Sequence, residues 1–253
     1  MIRVVLDQSK ISLALTSEYW QVRVVQETTS TQDELKHELV SNKDCVVAEY
    51  QSAGRGRLDR QFDSAPGIAL LFSFYIEPRR SSQSHQAPPL GWIPLLAGLA
   101  VTRTLNAMTE SDDYRIKWPN DVLSESGKVC GILCEQYLGG VIVGIGINVT
   151  GTPEELPVDT ASSIFITSGV ELDRNELLPR ILRTFSELLS QWEEGKDFRG
   201  GYRALCKTIG NDVLITVPSK YQIRGRAIDI TPNGELVLES GDIISAGDVL
   251  HLR

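Results

Sequence analysis

The chain has 253 residues, of which 42% are hydrophobic and 23% charged, and its 25 basic and 33 acidic side chains give a formal net charge of −8. That length and balance predict one large globular domain, alone or with a small companion, and exclude a disordered or repetitive protein. The acidic charge argues against a nucleic-acid-binding body, and no run approaches the roughly 18 apolar residues of a membrane span.

In chain order, Val22 to Val25 is a short strand. Thr29-Ser30-Thr31-Gln32-Asp33-Glu34 follows, where Ser30 with Asp33, or Thr31 with Glu34, reads as a capping box opening a helix through about Ser41. Cys45 to Tyr50 is a second strand, and Gly67 to Ile76 has the apolar run of a buried one. The segment from Arg79 to Pro89 is a polar, Pro-rich loop, and Leu90 to Met108 carries Ile93, Leu96, Ala97, Ala100 and Val101 at helical spacing. Lys128 to Val149 reads as a hairpin, with Gly139-Gly140 supplying the positive φ angles of a two-residue turn. From Asp173 to Trp192 an apolar stripe predicts a helix, in which Pro179 implies that regular structure starts near that residue. Beyond Gly210 short strands alternate with Asn233-Gly234 and Ser240-Gly241 turns, a small all-β unit.

The N-terminus carries charges within its short apolar run, unlike a signal peptide. Cys45, Cys130, Cys134 and Cys206 lack Cys-x-x-Cys spacing and lie far in sequence from His37, His85 and His251. Reduced, buried thiols in a cytoplasmic protein are expected, rather than a zinc site.

Chemistry concentrates after the second strand, in Gln51-Ser52-Ala53-Gly54-Arg55-Gly56-Arg57-Leu58-Asp59-Arg60-Gln61-Phe62. Glycines let a backbone approach a ligand, and guanidinium forks match phosphate or carboxylate oxygens at any physiological pH. A basic loop on an acidic chain suits a small anionic ligand better than a polyanion. Three further blocks follow: Lys117-Trp118-Pro119-Asn120-Asp121, then Lys128-Val129-Cys130-Gly131-Ile132-Leu133-Cys134-Glu135, then Gly144-Ile145-Gly146-Ile147-Asn148.

These blocks, with Ser30-Thr31-Gln32 ahead of them, resemble in order and separation the catalytic domain of biotin protein ligases, from about Val22 to Arg253. The resemblance implies an α+β fold. Its parts are a class II aminoacyl-tRNA synthetase-like catalytic domain (1–207), with a mixed sheet flanked by helices, and a small C-terminal SH3-like β-barrel (208–253). Only about 20 residues precede the first catalytic strand, too few for the helix-turn-helix that some members carry. The implied reaction activates biotin with ATP and Mg²⁺ as biotinyl-5′-AMP and transfers it to a lysine of a biotin carboxyl carrier domain. Neither nucleic acid nor membrane is an expected partner, and both monomers and homodimers occur in the family.

Residue by residue, the resemblance makes Lys128 and Arg57 the cations that meet biotin's carboxylate and the α-phosphate. Lys117 is a phosphate-side cation, and Asp121 a group that orients the incoming lysine or helps hold Mg²⁺. Ser30, Thr31, Gln32, Gln51, Gly54, Arg55, Gly56 and Gly131 fall to biotin; Arg60, Phe62, Asn120, Asn148 and the last residue, Arg253, to ATP. No protein metal ligand is assigned. Three positions depart from the family pattern: Asp59 stands for Gly, Phe62 for Trp and Gln32 for Asn. The nearest alternative is a lipoate or octanoate ligase or transferase of the same superfamily.

Overall fold

A computed structural model describes residues 3–37, 39–57, 61–79, 89–218 and 221–252. The first helix, α1 (Gln8–Ala14), is capped by the Asp7 carboxylate and leads through a 3₁₀ turn to strand β1 (Gln21–Thr28). Helix α2 (Thr31–Lys36) and strands β2 (Asp44–Gln51) and β3 (Ala69–Ile76) follow, then the long helix α3 (Trp92–Thr109). Next come β4 (Arg115–Lys117), β5 (Asp121–Ser124), β6 (Gly127–Tyr137) and β7 (Gly140–Asn148). Helices α4 (Ile164–Ser168), α5 (Arg174–Glu193) and α6 (Arg199–Leu205) precede β8 (Asp212–Thr216), β9 (Gln222–Ile230), β10 (Leu236–Leu238), β11 (Ile243–Ile244) and β12 (Asp248–His251).

The strands form a seven-stranded mixed sheet, ordered β1-β2-β3-β7-β6-β5-β4, and a five-stranded sheet, ordered β11-β10-β9-β8-β12. Only the β1–β2 pairing in the larger sheet is parallel. Successive side chains of β3 face opposite ways. Leu70, Phe72, Phe74 and Ile76 therefore join the core shared with α3 and α5, where the Phe74 and Phe185 rings lie 4.8 Å apart. Ala69, Leu71, Ser73 and Tyr75 face the other side, where α2 packs over β2, β3 and β7. That second face carries the site.

The apolar core runs without a break from the large sheet into Val213, Ile215, Ala227, Leu236 and Val249 of the small one. Two indoles stitch the sheets together: Trp92 Nε1 donates to Pro232 O at 2.7 Å and Trp118 Nε1 to Gly234 O at 3.0 Å. Buried indole N–H groups need such partners, and backbone turns supply them here.

Several expectations shift. Helix α2 ends at Lys36, short of Ser41. The hairpin turn is Leu138-Gly139, one residue early, with φ of 46° and 86°. Tyr137 pairs with Gly140, whose Cβ would sit 2.3 Å from Ile76 O, so Gly140 is glycine for close approach inside the strand. Helix α5 begins at Arg174, five residues before Pro179, because the Asp173 side chain caps it and Leu177 and Leu178 are already buried. Pro179 is the sixth helical residue, past the first turn, so the helix gives up one i→i−4 donor there.

Candidate functional site

A cleft opens on the α2 face of the large sheet, lined among others by Ser30, Thr31, Gln32, Gln51, Ser73, Gly131, Gly144 and Gly146. Its floor is low because strand alternation places glycines side by side: Gly131 pairs with Gly146, and Gly144 lies between Ser73 and Leu133. A Cβ at Gly146 would come within 2.7 Å of the Phe62 ring, and one at Gly144 within 2.8 Å of the Gln32 amide nitrogen. These two glycines thus seat the side chains that shape the cleft.

One end is polar and buried. Thr31 donates to Gln51 Oε1 from both its backbone N–H (2.7 Å) and its hydroxyl (2.9 Å). With that hydroxyl proton committed, Ser73 Oγ donates to Thr31 Oγ1 at 2.7 Å. Ser30, Thr31, Gln32 and Ser73 are all buried. Gln32 Nε2 donates to Leu133 O at 2.8 Å, while its Oε1 is buried with no hydrogen-bond partner. A buried acceptor in that condition is costly unless a ligand satisfies it. The capping box does not form: Ser30 occupies the N-cap without a side-chain capping bond, Asp33 pairs with Arg55, and Glu34 accepts from Arg23 and Thr28. Sequence reasoning missed Ser73, a lone hydroxyl within an apolar strand.

The other end is charged. Arg57 Nη1 donates to Asn120 Oδ1 at 3.1 Å and to Gly247 O at 3.2 Å, tying the Gly/Arg loop to the β4–β5 turn and to the small sheet. Asn120 is itself fixed, its Nδ2 donating to Ile132 O at 2.8 Å, so it orients Arg57. Lys128 Nζ lies 2.7 Å from Asp121 Oδ1, and Lys117 Nζ 3.9 Å from Asp121 Oδ2. Lys128 is positioned through its backbone, which donates to Thr160 O and accepts from Ser162 N. A second cavity of about 430 Å³ lies beyond and shares Arg57, Asn120, Ile132 and Leu133 with the first, so Arg57 stands in the wall between them. Asp248 of the small sheet also lines the cleft, and no local signal in the sequence marked it.

Of the residues expected in the site, Ser30, Thr31, Gln32, Gln51, Arg55, Gly56, Arg57, Phe62, Asn120, Asp121, Lys128 and Gly131 converge on this cleft. Gly54, Lys117 and Asn148 are not among its lining residues. Gly54 shapes the loop: Phe62 N–H donates to its carbonyl, and a Cβ there would lie 2.4 Å from Phe62 O. Asn148 is buried and its Nδ2 donates to Ser162 O at 2.9 Å, bracing the segment that holds Lys128. Asp59, Arg60 and Arg253 lie outside the described residues.

All four cysteines are free thiols. Burial pushes the Cys134 thiol up to about 12, with Arg57 opposing, so it stays protonated and is no nucleophile. No group of three or more His, Cys, Asp or Glu side chains fit to hold a metal occurs among the described residues, and no helix there is long and apolar enough to cross a membrane.

The profile of the biotin/lipoate A/B protein ligase family matches residues 22–151. A biotin–[acetyl-CoA-carboxylase] ligase of Mycobacterium tuberculosis is 36% identical, over 92% of this chain and 90% of its own length. A bifunctional ligase/repressor BirA of Bacillus spizizenii is 34% identical, over 93% of this chain and 75% of its own. Among solved structures, a biotin protein ligase from Aquifex aeolicus in complex with biotin and ATP superposes with a TM-score of 0.79 at 32% identity, covering 92% of this chain and 99% of that one.

Proposed function

Because this chain belongs to the biotin/lipoate A/B protein ligase family and matches its biotin protein ligases over nearly its whole length, we propose how its cleft performs their reaction. The chain is an ATP-dependent biotin ligase. Biotin's carboxylate attacks the α-phosphorus of ATP, pyrophosphate leaves, and biotinyl-5′-AMP forms. The ε-amine of an acceptor lysine then attacks the acyl carbon, loses a proton and releases AMP.

The cleft's division into a buried polar end and a cationic end carries this reading. At the polar end, Ser30, Thr31, Gln51, Ser73 and the unpartnered Gln32 Oε1 offer donors and acceptors to a ureido ring. A lipoyl dithiolane, with no hydrogen-bonding group at that end, would leave Gln32 Oε1 unsatisfied, a penalty of about 1–3 kcal/mol. At the other end, Lys128 and Arg57 face the place where carboxylate and phosphate meet, cancelling their repulsion and the charge that builds at phosphorus. The Phe62 ring, resting on Gly146, offers an apolar face to adenine, and Asn148 acts on the site through the segment it braces. Gly56 and Gly131 complete the biotin side.

Mg²⁺ would come with the phosphates, in keeping with its preference for waters and phosphate oxygens, and Asp121 in the cleft wall would be the carboxylate to help hold it. Residues 208–253 form an SH3-like domain and 1–207 a catalytic domain of class II synthetase type, a division supported by the separate strand orders of the two sheets. The acceptor is the carrier domain of an acetyl-CoA or related carboxylase, and the chain meets it in the cytoplasm.

A thermal-shift comparison tests the ligand. Biotin with MgATP at a hundredfold excess over the dissociation constant should stabilise the fold by about 2.7 kcal/mol, and lipoate with MgATP should not. The reverse pattern would favour the lipoate alternative.

A further inference from the structure

Glu135 closes the Lys-x-x-Gly-Ile-Leu-x-Glu run, yet neither it nor Asp33 lines the cleft, and the reaction as described uses neither. The two carboxylates belong to a ring of four charges joining three elements. Arg55 Nη2, in the Gly/Arg loop, lies 2.7 Å from Asp33 Oδ1 on α2 and 3.5 Å from Glu135 Oε1 on β6. Lys36 Nζ, also on α2, lies 2.5 Å from Glu135 Oε2 and 3.8 Å from Asp33 Oδ1. Each cation thus touches both carboxylates. Single exposed pairs contribute little, but these side chains are only 28–39% exposed, and networks are the exception to that rule.

Position adds meaning. Ser52 N–H and Ala53 N–H donate to Thr28 O and Thr29 O, so the loop leaves its strand in fixed register. At Arg55 it folds back, pairing with Gln61, and two residues later Arg57 reaches Asn120 and Gly247 across the cleft. Arg55 is the loop's last outward anchor before the phosphate-side cation. Two carboxylates beside an anionic ligand would repel it; here two cations cancel them.

We propose that Asp33 and Glu135 are positioning residues that grip Arg55 and thereby hold Arg57 where it retains the acyl-adenylate. Arg55 then serves the reaction as an anchor rather than through contact with the ligand. This rests on the cleft being the adenylate site.

The sign of one effect separates this from simple electrostatics. Asp33→Asn or Glu135→Gln removes a negative charge near the cleft. If only the local field mattered, an anionic adenylate would dissociate more slowly; if the grip matters, it dissociates faster. The probe is biotinyl-5′-AMP loaded on the full-length protein and chased with excess unlabelled adenylate. Each carboxamide variant should speed dissociation by about 1.5- to fivefold, the factor that weak ion pairs carry. Arg55→Gln added to the Asp33→Asn/Glu135→Gln pair should add less than about twofold, because its partners are already gone. Rising salt should accelerate release from the wild type more than from the paired variant. Melting curves within a few degrees of wild type would show that the variants are folded. Unchanged or slower release in the carboxamide variants, or a further large loss on adding Arg55→Gln, overturns the proposal. A wild type that fails to bind biotinyl-5′-AMP overturns the reading of the cleft, and this proposal with it.

Discussion

Replacing Lys128 with Ala should separate catalysis from stability. The Lys128 side chain is 41% exposed and pairs with Asp121 at 2.7 Å, so losing that pair costs about 0.2–1 kcal/mol. The start of β6 keeps its backbone bonds to Thr160 and Ser162 whatever the side chain. For a chain of this size 1 kcal/mol shifts the melting temperature by about 2–4 °C, which bounds the expected change. The reaction loses more. A preorganised cation facing charge that develops at phosphorus contributes about 3–4 kcal/mol, so biotin- and ATP-dependent pyrophosphate release should fall about a hundredfold or more. Biotin binding by calorimetry should change much less, because the polar end of the cleft is untouched. If kcat stays within about threefold of wild type, Lys128 is a surface lysine serving Asp121, and the charged-end mechanism fails.

Arg57→Gly should reduce adenylation without abolishing it and let biotinyl-5′-AMP escape, read as untargeted biotin labelling of bystander lysines. Asn120→Ala should show a milder form of the same leak, since Asn120 Oδ1 orients Arg57. Trp118→Phe removes the indole donor to Gly234 O inside the core and should cost about 1–3 kcal/mol in denaturant titration. His251 has its pKa lowered by burial and by Lys117 and Lys207, so the folded state favours the neutral imidazole. The resulting stability is present above the unfolded-state value of about 6.5 and is lost as pH falls from there through the depressed folded value. His251→Gln should flatten that part of the stability–pH curve relative to wild type.

Where residue type and spacing act locally, the sequence was a good guide. Gly144-Ile145-Gly146 lies in the second strand of the expected hairpin, and its two glycines line the cleft floor. The strand cores of β2 and β3 and the helix α3 were legible locally too, the strands as short apolar runs and the helix by its 3.6-residue period. What escaped depended on partners distant in sequence. Ser73 reads as an impurity in an apolar run until Thr31, 42 residues away, meets it. Asn148, expected at the adenine, also holds Ser162 O, 14 residues away, through its amide nitrogen. Asp248 and the Gly247 carbonyl reach the cleft only because two indoles dock the small sheet against the large one. The capping-box reading failed by competition, since Asp33 and Glu34 find arginines elsewhere. The hairpin turn slipped by one residue because Leu138 tolerates φ of 46° and Gly140 is needed inside the strand.

Mass spectrometry of a biotin carboxyl carrier domain incubated with the chain, MgATP and either biotin or lipoate decides whether this cleft activates biotin and passes it to a protein lysine. A single biotinyl addition to one lysine is expected, with pyrophosphate released in step with it, and neither with lipoate. Pyrophosphate release that requires lipoate or octanoate and ignores biotin would contradict it.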